Sequence, residues 1–119
     1  MKIDNARAFF DLLAARGREP RLSDAVGSWE FDVTDVGSWT VTVDHGELRV
    51  AEGASKDSKV RLHLDEGELV RLGRGEGHAN LLTALLRGAL VVEGELAFCA
   101  RLSAILPLVD SEQDAGVQT

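Results

Sequence analysis

Four consecutive segments between residues 27 and 65 alternate apolar with polar side chains, and this constrains the fold more than any other feature of the chain. Trp29, Phe31 and Val33 are interleaved with Glu30, Asp32 and Thr34, and Trp39, Val41 and Val43 with Thr40, Thr42 and Asp44. Leu48 and Val50 continue the pattern around Glu47 and Arg49, and Val60, Leu62 and Leu64 alternate with Lys59, Arg61 and His63. A period of two sends each apolar set to a single face of a β-sheet. Such a face cannot stand in water, so the remainder of the chain must cover it. Residues 35–37 and His45-Gly46 read as tight connections and residues 53–57 as a looser polar one. Connections this short predict an antiparallel meander of four strands.

The cover reads as helical. Residues 4–16 form a first helix with Asp4 as its cap, Ile3, Ala6, Phe10 and Leu13 at helical spacing, and Gly17 just past its end. Phe9 and Leu12 widen its apolar stripe. Pro20 breaks the loop that follows, with a short helical turn expected at 23–26. Asp65 caps a second helix, with Glu68 as its capping-box partner, Leu69, Val70 and Leu72 as its apolar face, and Gly73 as its stop. The glycine-rich run 73–77 follows a helix rather than a strand, the wrong context for a phosphate-cradling loop, and reads as a connector. Residues 79–87 make a third helical piece with Leu81, Leu82, Leu85 and Leu86, ended by Gly88, and residues 89–93 a fifth strand.

The last helix is expected from Glu95 to about Leu106, closed by Pro107. Eleven of the fourteen residues from Leu96 to Val109 are apolar, more than one buried stripe requires. Phe98, Leu102, Ile105 and Leu106 fall on one arc and Ala97, Ala100 and Ala104 on another. A helix apolar nearly all round is covered on two sides. The sheet supplies one cover; a helix, a partner chain or a ligand supplies the other.

Bulk composition narrows the function. A chain of 119 residues makes one domain, taken as 1–109, followed by a polar, acidic tail at 110–119 expected to be disordered. The net charge of −7 argues against a nucleic-acid partner, which requires a basic stripe. Arg16, Arg18 and Arg21 are diluted by Glu19 and read as a solvated loop. A single cysteine forms no internal disulfide, and the sequence holds no run of about 18 apolar residues to cross a membrane. The first residues lack the apolar core of a secretion signal and the final VQT is not a peroxisomal address, so a cytoplasmic location is expected.

Helix, four strands, short helices, one strand and a closing apolar helix make an α+β plan. In that order and spacing the chain resembles the sterol carrier protein 2 (SCP2-like) lipid-binding family over about residues 5–109. The likeness rests on residues 27–33 (GSWEFDV), 39–46 (WTVTVDHG) and 57–64 (DSKVRLHL), the Leu69/Leu72-Gly73 helix, and above all residues 88–97 (GALVVEGELA). The resemblance implies a five-stranded, mostly antiparallel sheet with one crossover and helices on one face. It also implies an apolar tunnel between sheet and helices for fatty acyl chains, sterols or similar lipids. The lack of a peroxisomal ending and the single methionine, Met1, depart from the better-known carriers.

The tunnel has a physical logic of its own. Each buried methylene contributes ~0.8 kcal/mol, so a long acyl chain offsets association costs of roughly 4–15 kcal/mol and binds at micromolar concentrations. The expected walls are Trp39, Val41, Leu62 and Leu64 from the sheet and Leu82, Leu86, Phe98, Leu102, Ile105 and Leu106 from the helices. Each of these is also what a plain core would contain. Cys99 sits among apolar neighbours with no base beside it and reads as a buried structural thiol. His45, His63 and His78 share no metal-ligand spacing, so no metal or cofactor is expected. His63 with Asp57 or Ser58 does not converge on one reacting atom, and Glu93 either faces water or meets the start of the last helix. The sequence therefore reads as a non-enzymatic carrier of a hydrophobic ligand. The alternatives are an accessory subunit, or homodimer, docking through the apolar last helix, and a small enzyme acting on an apolar substrate in the same pocket.

Overall fold

A computed structural model describes residues 3–108, without the side chain of His78. The acidic tail expected at 110–119 therefore lies outside the described residues, as does Met1. Helix α1 (Ala6–Arg16) is followed by the meander β1 (Val26–Val33), β2 (Gly37–Asp44) and β3 (Glu47–Glu52). Then come β4 (Val60–Leu64), α2 (Glu66–Arg74), α3 (Leu81–Leu86), β5 (Leu90–Gly94) and α4 (Leu96–Ala100). Short 3-10 turns cover Pro20–Leu22, Glu76–His78 and Arg101–Ala104. The architecture is α+β, as expected.

The sheet order is β3-β2-β1-β4-β5. The expected four-strand meander holds for three strands only. β4 pairs with β1 in parallel, with Trp29 opposite Val60 and Val33 opposite Leu64, and β5 closes the far edge antiparallel to β4. Alternation specifies which face a residue takes and not which neighbour its strand takes, so the crossover was invisible to it. The link from β3 to β4 is held to the polar face of the sheet. There the Thr40 hydroxyl donates to the Gly53 carbonyl at 2.7 Å, and the Ser55 N–H donates to the carboxylate of Glu30 at 3.1 Å. Glu30 is buried under this link and pairs with Arg61 at 2.9 Å.

The apolar face carries the core. Trp29, Phe31, Trp39, Val41, Val43 and Leu62 are buried beneath the helices. α1 packs over β3 and against α2, and α4 packs over β4 and β5. Two aromatic stacks mark the two ends: Phe10 on Trp39 and Phe98 on Trp29, each with centroids 4.6 Å apart.

Several boundaries differ from the expectation for identifiable reasons. Asn5, not Asp4, caps α1, its side chain accepting the Ala8 N–H at 2.8 Å, while Asp4 pairs with Arg74. The helical turn of the first loop lies at Pro20–Leu22 rather than 23–26, because Pro20 fits a first helical position and Val26 already belongs to β1. Asp65 caps α2 by accepting the Glu68 N–H at 2.7 Å. Glu68 does not complete a capping box; its carboxylate turns to Arg87, 3.4 Å away. Gly73 lies inside α2, where an added Cβ would come within 2.8 Å of the Phe9 ring, so its smallness lets α1 approach. Gly75, at φ 66°, is the residue that ends α2.

The expected long last helix is broken into α4 and a 3-10 turn. The indole N–H of Trp29 donates to the Phe98 carbonyl at 2.9 Å, drawing on an acceptor that a continuing helix would use. Further along, Arg16 donates to the Ile105 carbonyl at 2.9 Å and Arg21 to that of Ala104. Side chains from the end of α1 and from the first loop thus satisfy the end of this segment in place of another helical turn.

Candidate functional site

The site follows from how little of α3 the core holds. This six-residue helix is fixed at its start by a reciprocal cap between Asn80 and Thr83, and only Ala84 among its residues is buried. A small residue at the point of contact leaves the flanking leucines of α3 only partly covered. Leu82 is 63% exposed and Leu86 77%. After β5 the chain must fold straight back over the sheet, and Gly94 (φ 108°) permits it. A Cβ there would fall 2.2 Å from the Lys59 carbonyl oxygen.

Between α3, the edge strand β5 and α4 these constraints leave an open cleft of about 360 Å³. Leu81, Leu82 and Leu85 line one side, Leu90 the sheet side, and Leu96, Cys99 and Ala100 the other, with Asn80 and Ser103 as the polar residues. Leu90 and Cys99 are buried and Leu96 is 60% exposed, so the cleft runs from a closed floor to a wet rim. None of the described residues lining it is an acid, a histidine, a lysine or an arginine. Burial pushes the Cys99 thiol up from its ordinary value, so at neutral pH it is protonated and a poor nucleophile.

The ten residues expected to form the walls are not brought together. Leu82 lines the cleft. Trp39, Val41, Leu62, Leu64, Phe98, Leu102 and Ile105 are buried in the core, packed against neighbouring side chains. Leu86 points away from the cleft lining into solvent. Leu106 lines a second groove of about 630 Å³ with Leu12, Ala15, Arg16, Arg21, Pro107 and Leu108. That groove is larger but polar on one side, and its arginines are committed. Glu19 binds Arg16 at 2.6 Å and Arg21 at 3.1 Å, and the Arg21 contacts hold its carboxyl down from 4.5 to about 2. The cleft residues that sequence reasoning passed over, Leu81, Leu85, Leu90, Leu96 and Cys99, carry a signal only in hindsight: Asn80 fixes the phase of α3.

The histidines lie elsewhere. His45 pairs with Asp44 at 2.8 Å in the β2–β3 turn. On the polar face, away from the cleft, His63 reaches Asp32 at 3.2 Å and also contacts Glu93; its partners are not Asp57 or Ser58. Among the described residues, no group of three or more metal-ligating side chains is placed to hold a metal ion. No described helix is long and apolar enough to cross a membrane.

A family model for the SCP-2 sterol transfer family matches residues 9–107. The chain belongs to that family. Solved SCP-2 domains share its fold. The sterol carrier protein domain 2 of Helicoverpa armigera superposes with a TM-score of 0.65 at 19% identity, over 83% of this chain and 82% of that one. The sterol carrier protein-2 of Aedes aegypti in complex with palmitate gives 0.58 at 17% identity, over 79% and 86%. An inverting sec-alkylsulfatase, Pisa1, of a Pseudomonas species gives 0.70 at 20% identity over 83% of this chain, which spans only 16% of the alkylsulfatase. A search of curated proteins finds no match. The five-stranded mixed sheet with one crossover is thus the SCP-2 fold in both sequence and structure.

Proposed function

We propose that this SCP-2 domain is a carrier that holds one hydrophobic ligand, a fatty acid, acyl chain or sterol-like lipid, in the cleft between α3, β5 and α4, and does no chemistry on it. The observation that carries the reading is an uncharged, leucine-lined cleft of about 360 Å³ beside a well-buried apolar core. That volume lies at the low end of ligand pockets, roughly 300–1,000 Å³. Family membership and a palmitate-bound neighbour support a lipid as occupant. A protonated Cys99 and a histidine cluster on the opposite face favour carriage over catalysis. The test is displacement of a fluorescent fatty acid together with native mass spectrometry of the purified protein. Micromolar displacement and a ligand-sized mass increment support the reading; no probe binding and no bound lipid refute it.

A second reading rests on Leu86, 77% exposed and outside the cleft lining, beside the half-wet Leu82. These residues favour a protein partner or a second copy docking on α3. The last helix is the weaker candidate for that contact, since its Phe98, Leu102 and Ile105 are spent on the core. Light scattering at increasing concentration, with Leu86→Lys as comparison, separates this reading: a monomer at all concentrations and in mixtures argues against it.

A further inference from the structure

The backbone of the α3 segment is bonded to itself. The Ala84 N–H donates to the Asn80 carbonyl at 3.1 Å, Arg87 to Thr83 at 3.0 Å, Gly88 to Leu85 at 3.1 Å and Ala89 to Ala84 at 2.9 Å. None of these four bonds reaches the sheet or another helix. Packing adds little: Ala84 is the one buried residue of α3, Leu81 and Leu85 are half-covered, and Leu82 and Leu86 are exposed. A six-residue helix is too short to persist once it leaves its support, so all four bonds would be lost in a single opening.

The flanks are built differently. Before the segment, Gly75 is clamped, since a Cβ there would meet Pro107 at 3.0 Å, and the Leu108 N–H donates to the Gly73 carbonyl at 2.8 Å. After it, β5 is paired to β4 along its whole length. Between these anchors stand two glycines at positive φ, Gly77 at 61° and Gly88 at 75°, and a Cβ added at either would meet nothing within 4 Å. Backbone that no neighbour confines, at residues free of the Cβ restriction, can absorb the dihedral change of a hinge. One ion pair ties the far end of the segment down. The Glu68 side chain, only 6% exposed, faces Arg87 at 3.4 Å and Arg71 at 3.9 Å. Arg71 lies on α2 with Glu68, so Arg87 is the partner that crosses from the α3 side. A carboxylate this well covered loses more than a surface one when a partner leaves, which is what lets the pair act as a fastening.

We propose that residues 79–87 open as one flap, turning on Gly77 and Gly88, with the Glu68–Arg87 pair as its latch. Opening lifts Leu81, Leu82 and Leu85 away from Leu90, Leu96 and Cys99 and leaves α2 and the sheet in place. That the motion admits a ligand rests on the carrier reading above; the motion itself does not.

The test is native-state hydrogen exchange of the ligand-free protein, read by NMR in rising, sub-denaturing urea. The amides of Ala84, Arg87, Gly88 and Ala89 should exchange together, roughly a hundredfold faster than those of Leu69 in α2 and Glu95 after β5, and almost independently of urea. Arg87→Gln should speed the four by about tenfold, the effect of losing one charge-assisted hydrogen bond, and the other two by less than about twofold. Arg87→Lys, which keeps the charge, should restore the four to within about threefold of the parent. Exchange of the four at the rate and urea dependence of Leu69 and Glu95 overturns the flap. Arg87→Gln leaving the four within about twofold, or speeding all six alike, overturns the latch. The carrier reading is judged separately by the fluorescent fatty acid: binding without local opening keeps the carrier and removes the flap, and local opening without binding does the reverse.

Discussion

Replacing Leu96 by aspartate separates the cleft from the fold. The residue is already 60% exposed, so the folded state has only the covered part of a leucine side chain to lose, about 1 kcal/mol out of the ~1.5–3 kcal/mol that full burial is worth. A bound tail would cover the exposed part, and the variant forfeits that share, again about 1–2 kcal/mol. A carboxylate on the cleft wall adds its own desolvation as the ligand arrives, on the order of 1 kcal/mol for a group that stays partly wet. The sum of about 2–3 kcal/mol corresponds to a loss of affinity of roughly 30- to 150-fold. Thermal unfolding should shift by only a few degrees. The assay is probe displacement by a fatty acid, run beside a thermal melt. Binding within threefold of the parent protein, in a variant that still folds, would refute the placement of the ligand between α3 and α4.

Other consequences follow from residues whose contacts are equally specific. The Glu19 carboxyl, lowered from 4.5 to about 2 chiefly by its hydrogen bonds to Arg21, contributes stability that is fully present above about pH 5 and is lost as pH falls toward 2. With Arg21 itself 66% exposed, the contribution is about 2 kcal/mol, and Glu19→Gln should lower the melting temperature at pH 7 while flattening its fall between pH 5 and 2. Gly94→Ala forces a methyl group against the Lys59 carbonyl at a φ that L-residues avoid; it should cost at least 2–3 kcal/mol in urea denaturation and weaken ligand binding with it. His63→Ala combined with Glu93→Gln removes the cluster on the polar face, and ligand affinity should stay within twofold, which excludes that face from the site.

The fold was largely legible because period-two alternation fixes a face without reference to anything distant. Trp29, Phe31, Trp39, Val41 and Leu62 are all buried where the pattern put them. The crossover to β4 was not legible from periodicity, since it depends on which edge of β1 remains free once β2 has paired, and only the family resemblance supplied it. The last helix misled in a different way. Its abundance of apolar residues implied a surface left for a ligand, whereas Phe98, Leu102 and Ile105 are consumed by the core and the segment breaks at residues whose carbonyls answer Trp29, Arg16 and Arg21. The cleft instead arises from a deficit in α3, where Ala84 alone is buried and its leucines are left half-covered. Composition shows how much apolar surface a chain has; it does not show which part of that surface the fold fails to use.

The most direct test is methyl NMR of selectively labelled leucines titrated with dodecanoate. Saturable, micromolar shifts are expected, confined to Leu81, Leu82, Leu85, Leu90 and Leu96, the residues around the cleft. Shifts centred instead on Leu12, Leu106 and Leu108, in the groove beside Arg16 and Arg21, would contradict it.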